Sequence, residues 1–258
     1  MRVLFIGDIF GKPGRRAFAE KLPALKSGEG PFDFVVINCE NAAAGFGMTK
    51  GLMDELFAAG ADVMTSGNHI WDKKEFVHVL DEEQRVLRPA NYPPGAPGRG
   101  FGLFAKGGLR LGVVNIQGRA FMPPIDCPFR ATETALRELG AVAVLVDLHA
   151  EATAEKVAMA RYLDGRVSAL VGTHTHVQTA DNAVLPGGTA FITDAGMTGS
   201  HSGVIGMKYS SVMPKFLLGI PSKFEVEETM PRVQGVVIDI DDETNRALDI
   251  RRVDVAAD

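Results

Sequence analysis

The sequence is short of cysteine, of long apolar runs and of concentrated positive charge, and each shortage removes a class of protein. Two cysteines, Cys39 and Cys127, occur in 258 residues. They lie far apart without C-x-x-C spacing, which argues against a disulfide framework or a cysteine-held metal and fits a reducing, cytoplasmic setting. No apolar segment is long enough to cross a bilayer, so no membrane association is expected. The opening "MRVLFIGDIFG" has one basic residue and only a few apolar ones before Asp8, too short for a signal-peptide core, and reads as a first strand. With a formal net charge of −5 and no Lys/Arg run, the chain is not expected to bind extended nucleic acid by neutralising phosphates. A small phosphorylated ligand stays open, because metal ions or a few local donors can meet its charge. Low-complexity segments and fixed-period repeats are absent too.

What is present is alternation. Apolar residues make up 46% and charged ones 23% of the chain, ordinary for a globular protein. "RVLFIG", "FDFVVIN" and "DVMT" read as strands, separated by the helical patterns "PGRRAFAEKLPALKSG", which Pro23 should bend or divide, and "TKGLMDELFAAG", capped at Thr49 and stopped at Gly60. "IWDKKEF" reads as the opening of a further helix. The Pro/Gly-rich "RPANYPPGAPGRG" interrupts the pattern, and "FGLFAKGGLRLGVVNIQG" follows as a hairpin turning at Lys106 to Gly108. A second series then runs helix "TETALRELG", strand "AVAVLVDLH", helix "TAEKVAMARYLDG", strand "RVSALVG". Short strands around "AVLPGGTAFIT", a Gly-rich loop "DAGMTGSHSGVIGM" and a closing hairpin, "RVQGVVIDI" with "ALDIRRVDV", complete the chain. Strands joined by helical crossovers predict an α/β fold, and two such series with hairpins between and after them suggest two sheets packed face to face.

The ends of these strands are polar in a particular way. Strand one runs into Asp8, strand two into Asn38-Cys39-Glu40-Asn41, strand three into Asn68-His69; in the second series the strands deliver His149, then His174 and His176. Singly, each has an ordinary explanation: a turn cap at Asp8, a solvated loop acid at Glu40, a core histidine bonded to backbone at His149. The His174-Thr175-His176 stretch is harder to explain so, because residues two apart in an extended segment face the same way. Together these positions carry the donor types of a divalent-metal site. Oxygen and imidazole ligands without thiolate suit manganese, iron, zinc or cobalt. Seven candidate ligands (Asp8, Glu40, Asn41, Asn68, His149, His174 and His176) are better matched to two ions than to one, with a carboxylate such as Glu40 bridging them at roughly 3.5–4 Å.

The motifs "GD" at Gly7-Asp8, "GNH" at Gly67 to His69, the strand-end His149 and "GTHTH" at Gly172 to His176 resemble, in order, the blocks of calcineurin-like metallophosphoesterases. The usual Asp-x-His is missing, since Ile9-Phe10 follow Asp8, and "NCENAAAGFG" stands where the family has Gly-Asp. That "CEN" form, with "GNHIWD" and the loop "TDAGMTGSHSGVIGMK", is similar to the bacterial YmdB-type branch over nearly the whole chain. The resemblance implies an α/β fold built as a four-layer α-β-β-α sandwich of two packed mixed sheets, one domain over residues 1–258. It implies a phosphodiesterase for 2′,3′- or 3′,5′-cyclic nucleotides with a di-iron or di-manganese centre, divalent or mixed-valence. Carried over by position, one ion is held by Asp8, Glu40, Asn41 and His176, and the other by Glu40, Asn68, His149 and His174. A bridging hydroxide is then expected to attack phosphorus, and His69, the expected catalytic residue, to protonate the leaving oxygen or stabilise its charge.

Outside these blocks, His201 in "GSHSG", Arg119 and Phe121 are candidates for substrate contact, His78 is expected on the surface, and Cys39 is expected as packing. A homo-oligomer is compatible with the sequence. Two other functions stay open: a phosphomonoesterase or nuclease using the same centre, and a regulatory protein that keeps metals and nucleotide but signals through a partner.

Overall fold

The computed structural model describes residues 1–257. Thirteen strands form two mixed sheets. In the first, β1 (Arg2–Ile6), β3 (Phe34–Asn38) and β4 (Val63–Thr65) run parallel, while the hairpin of β12 (Pro231–Ile240) and β13 (Ala247–Ala256) pairs antiparallel with the other side of β1. The short β2 (Asp8–Ile9) joins through β11 (Met197–Ser200) to β12. In the second sheet, β6 (Leu109–Gln117), β7 (Ala143–His149), β8 (Ala169–Thr173) and β10 (Ala190–Ile192) are parallel neighbours, edged by antiparallel β5 (Phe101–Lys106) and β9 (Ala183–Val184).

The strand alternation sorts the core into layers. Val3, Phe5, Phe34 and Val36 of the first sheet meet Leu111, Val113, Leu145 and Val171 of the second between the sheets. Their alternate neighbours Leu4, Ile6, Val35 and Ile37 face outward onto α1 (Gly11–Gly28) and α2 (Lys50–Ala59) through Phe18, Leu22, Met53 and Leu56. Val114, Ile116, Val146 and Leu148 face the other way, onto α4 (Pro128–Leu139) and α5 (Thr153–Leu163) through Ala135, Met159 and Leu163. The result is helix, sheet, sheet, helix, as expected. Buried on both faces, the parallel strands can only be near-continuous apolar runs.

Two local expectations fail, and Pro23, which is exposed, does not divide α1: the helix is continuous around it. "IWDKKEF" forms two short 3-10 turns, Asn68–Trp71 and Lys74–Phe76, before a single turn of helix, α3 (Val79–Glu82); the first is closed by i→i+3 bonds, Ile70 N to the Gly67 carbonyl and Asp72 N to the His69 carbonyl, and the His69 amide, free as in any first turn, donates to the Glu40 carboxylate. Within the Gly-rich loop lies β11, and beyond it α6 (Tyr209–Leu218). No helix among the described residues is long and apolar enough to cross a membrane.

Candidate metal centre

Parallel pairing puts the C-terminal ends of β1, β3 and β4 at one edge of the first sheet and those of β7 and β8 at the matching edge of the second, the place where ligands gather in α/β folds. Asp8, Glu40, Asn41 and His149 are all buried there. His174 and His176 arrive differently from the expectation. Both adopt left-handed backbone, φ 100° and 64°, so they are not two residues of one extended strand. They part: His174 goes to His149 and Glu151, and His176 to Asn41 and Asp8.

The donors form two touching groups. His149 Nε2 lies 2.9 Å from Glu40 Oε1 and 3.0 Å from His174 Nδ1, and donor atoms of these three residues fall within 4.8 Å of one another. Asn68 Oδ1 is buried without a hydrogen-bond partner. Such orphaned acceptors are rare, and a cation is one thing that satisfies them. In the second group, His176 Nε2 is 3.9 Å from Asp8 Oδ1 and 3.2 Å from the Asn41 amide, which also reaches Glu40 Oε1 at 3.3 Å. A half-turn of that amide presents Oδ1 instead of its NH₂. Gly67 keeps the space open: a Cβ there would stand 2.3 Å from His149 Nε2 and 2.5 Å from Glu40 Oε2. Clustered nitrogen and oxygen donors, an orphan acceptor and a side-chain-free cradle fit a hard or borderline cation.

Residues that the motifs do not reveal hold this set in place. Thr173 donates its hydroxyl to Asp147 Oδ1 at 2.7 Å and stands 3.0 Å from His149 Nδ1. Its proton is thereby committed, so His149 Nδ1–H must donate to Thr173 and Nε2 is left for the centre. Asp147 is itself fixed by Asn38 and Thr65. Under the His174-to-His176 turn, fully buried Lys156 and Asp194 pair at 2.8 Å, and Asp194 Oδ2 also accepts from Thr175 N and Oγ1. One signal was available in the sequence: Asp147 precedes His149 by two residues in a strand, so both face the same way.

The charges are poised to exchange a proton for a cation. Burial pushes the Glu40 carboxyl up, but the charge and hydrogen bond of His149, with His69, outweigh it and hold the group at about 2. Burial likewise lowers His149, and the carboxylates of Glu40, Asp8 and Asp147 reverse this, raising it to about 9. Burial, then the charge on His149, drives His174 down to about 3, ready as a neutral ligand. Burial raises Asp8 and takes Asp147 to about 6. It also pushes the Cys39 thiol up, keeping it protonated packing.

Beside the donors opens a cavity of about 340 Å³, lined by Glu40, Asn41, His69, Glu151, His174 and His176 on the polar side and by Phe10, Phe46, Ile205 and Phe224 on the apolar side; no Lys or Arg lines it. His69 Nδ1 is 2.8 Å from Asp72 Oδ2, and its ring packs edge-on against Phe46. That leaves Nε2 for a ligand. His201 spends its Nε2 on the Met197 carbonyl, Arg119 and Phe121 are exposed on another loop, and none of the three lines the cavity. His78 is exposed, as expected.

The chain is 48% identical, over 98% of its length and 96% of the relative's, to the 2′,3′-cyclic-nucleotide 2′-phosphodiesterase of Bacillus subtilis (strain 168). The crystal structure of a hypothetical protein from Thermus thermophilus superposes with a TM-score of 0.94 at 44% identity, covering 100% of both chains. That of a novel phosphatase from Mycoplasma pneumoniae gives 0.94 at 30% identity, covering 100% of this chain and 94% of the other. A family model described as YmdB-like protein matches residues 4–253, and the chain belongs to that family.

Proposed function

We propose that this protein is a dinuclear-metal phosphodiesterase that opens cyclic nucleotides, with the 2′,3′-cyclic ring as first substrate and the 3′,5′-cyclic ring as second. The observation that carries the reading is the convergence of Glu40, His149, His174 and the orphaned Asn68 Oδ1 beside a cavity without Lys or Arg. The 48% identical Bacillus subtilis relative, a 2′,3′-cyclic-nucleotide 2′-phosphodiesterase, supports both the enzyme class and the ring. Asp8, Glu40, Asn41 and His176 would hold one ion, and Glu40, Asn68, His149 and His174 the other, with iron or manganese favoured and zinc or cobalt acceptable to the same donors. Bound there, the ions supply an acidified water and neutralise the non-bridging phosphate oxygens.

The chain's own residues do the rest. Asp147 and Thr173 fix the His149 tautomer, and Lys156 and Asp194 fix the turn that presents His174 and His176. His69, oriented by Asp72, gives a proton from Nε2 to the departing ribose oxygen. Two divalent ions against the carboxylates of Asp8 and Glu40 leave a modest positive surplus, suited to a diester monoanion. A monoester dianion brings a second charge, and the cavity offers it Glu151 where it would need a cation. This favours the diesterase over the phosphomonoesterase reading suggested by the Mycoplasma pneumoniae structure. The test is a panel of 2′,3′- and 3′,5′-cyclic nucleotides, linear diesters and monoesters, assayed beside the metal content of the protein. Higher kcat/KM on 2′,3′-cyclic substrates is expected; equal or higher kcat/KM on a simple monoester overturns the assignment.

A further inference from the structure

Over the cavity mouth the chain makes a two-residue hairpin turn, with Val204 and Met207 exchanging both backbone hydrogen bonds at 2.7 and 2.9 Å. The central residues are Ile205 at φ 44° and Gly206 at φ 95°. Such a turn calls for Asn or Gly at its first position. A β-branched residue in left-handed backbone is an outlier there, strained against its own Cβ. Packing does not account for the choice. The apolar cluster beneath the turn is built from Phe10, Met197, Met207 and Val212, with Val204 and Phe224 against it, and Ile205 is not among its members. The residue is 52% exposed and lines the cavity along with Phe46 and Phe224.

The backbone of the same residue already has a task. The Ile205 carbonyl accepts from His176 Nδ1 at 3.1 Å, which leaves His176 Nε2 for the metal centre. Any residue supplies a carbonyl, so this bond explains the position of the turn and not the isoleucine. Gly206 lets the turn lie flat on the cluster, since a Cβ there would stand 2.6 Å from the Phe10 ring.

Resting on the phosphodiesterase reading of this site, we infer that Ile205 is a specificity-determining residue: its exposed side chain, beside Phe46 and Phe224, forms an apolar face for the nucleobase of the cyclic nucleotide. Flat, weakly hydrated bases gain affinity on apolar and aromatic faces without base-specific hydrogen bonds. The site should therefore favour substrates with a base over those with the reactive ring alone, and should rank the bases by stacking area.

The experiment compares two substrates that share a five-membered cyclic diester, adenosine 2′,3′-cyclic phosphate and glycerol 1,2-cyclic phosphate, on the manganese-loaded wild-type protein and on Ile205→Asn and Ile205→Gly. Both substitutions keep the carbonyl and suit the turn, so the melting temperature should be equal to or above that of the wild type. The ratio of kcat/KM for the adenosine over the glycerol substrate should fall on the order of tenfold in both variants, mainly through KM, as expected for losing one aliphatic contact with a base. A ratio within twofold of wild type overturns the inference. Equal losses on both substrates, accompanied by loss of metal, overturn it as well, by assigning Ile205 to His176 alone. A wild-type protein that opens neither ring refutes the phosphodiesterase reading itself, and the inference falls with it.

Discussion

Gly67→Ala is the smallest change that should dismantle the centre. The backbone at Gly67, φ −153° and ψ −144°, lies outside the left-handed region that favours glycine, and the effect argued from the structure comes from one methyl group. That methyl would stand 2.1 Å from His149 Cδ2, 2.3 Å from His149 Nε2 and 2.5 Å from Glu40 Oε2. Ordinary contacts are about 3.5–4.0 Å, so His149 or Glu40 must retreat by roughly an ångström, against a ligand-distance tolerance of about 0.2 Å. Both side chains are buried and tied to Thr173 and to the His69 amide, which leaves them little room. We expect metal affinity to fall by about 10² or more, with a stability loss of about 1–3 kcal/mol for overpacking. Metal per chain after dialysis, kcat/KM on a 2′,3′-cyclic nucleotide, and the melting temperature in chelator separate the two effects. Gly51→Ala is the control: in α2 a Cβ at that position meets nothing within 4 Å, and alanine should stabilise the helix slightly. Full metal content and normal turnover in Gly67→Ala would refute the account of the centre.

Other expectations follow from the same geometry. His69→Ala should keep its metals and lose about 10²–10⁴ in rate on a cyclic nucleotide, but far less on a nitrophenyl diester, whose leaving group needs no proton; equal losses would make His69 a phosphate-orienting residue. In the metal-free protein His149, raised to about 9, carries a proton beside Glu40, lowered to about 2. Metal binding should therefore release one proton, and apparent affinity should rise about tenfold per pH unit between pH 7 and 9 and then level off; a pH-independent affinity over that range contradicts the pairing. For metal-free stability the signs are opposite for the two partners: the His149 contribution is lost as pH rises through about 9, and the Glu40 contribution as pH falls towards about 2. Lys156→Met strands the fully buried Asp194 carboxylate and should cost about 3–5 kcal/mol in urea unfolding; a loss under about 1 kcal/mol would remove the pair from its supporting role.

Much of this was legible in the sequence because two of its signals are local. β1, β3, β7 and β8 are buried on both faces and announce themselves as apolar runs, and polar residues at or just beyond their ends are the candidate donors that the fold brings together. β11 and α6 were hidden by composition: one sits in a glycine-rich stretch, and the other carries Pro214 within it. The supporting residues were hidden for a different reason. Thr173, Asp147, Lys156 and Asp194 gain their meaning from partners 19 to 109 residues away, and beyond the strand face that Asp147 shares with His149 nothing in the residue types marks that. The departure of His174 and His176 from extended geometry could not be read either, since left-handed backbone at a histidine leaves no trace in the residue type.

The central claim is that Asp8, Glu40, Asn41, Asn68, His149, His174 and His176 hold two ions bridged by Glu40. Anomalous scattering from crystals of the manganese-loaded protein, measured either side of the manganese edge, tests it directly. The account predicts two peaks, one within bonding distance of Glu40, Asn68, His149 and His174, the other within bonding distance of Asp8, Glu40, Asn41 and His176. A single peak, or peaks held by other residues, would contradict it.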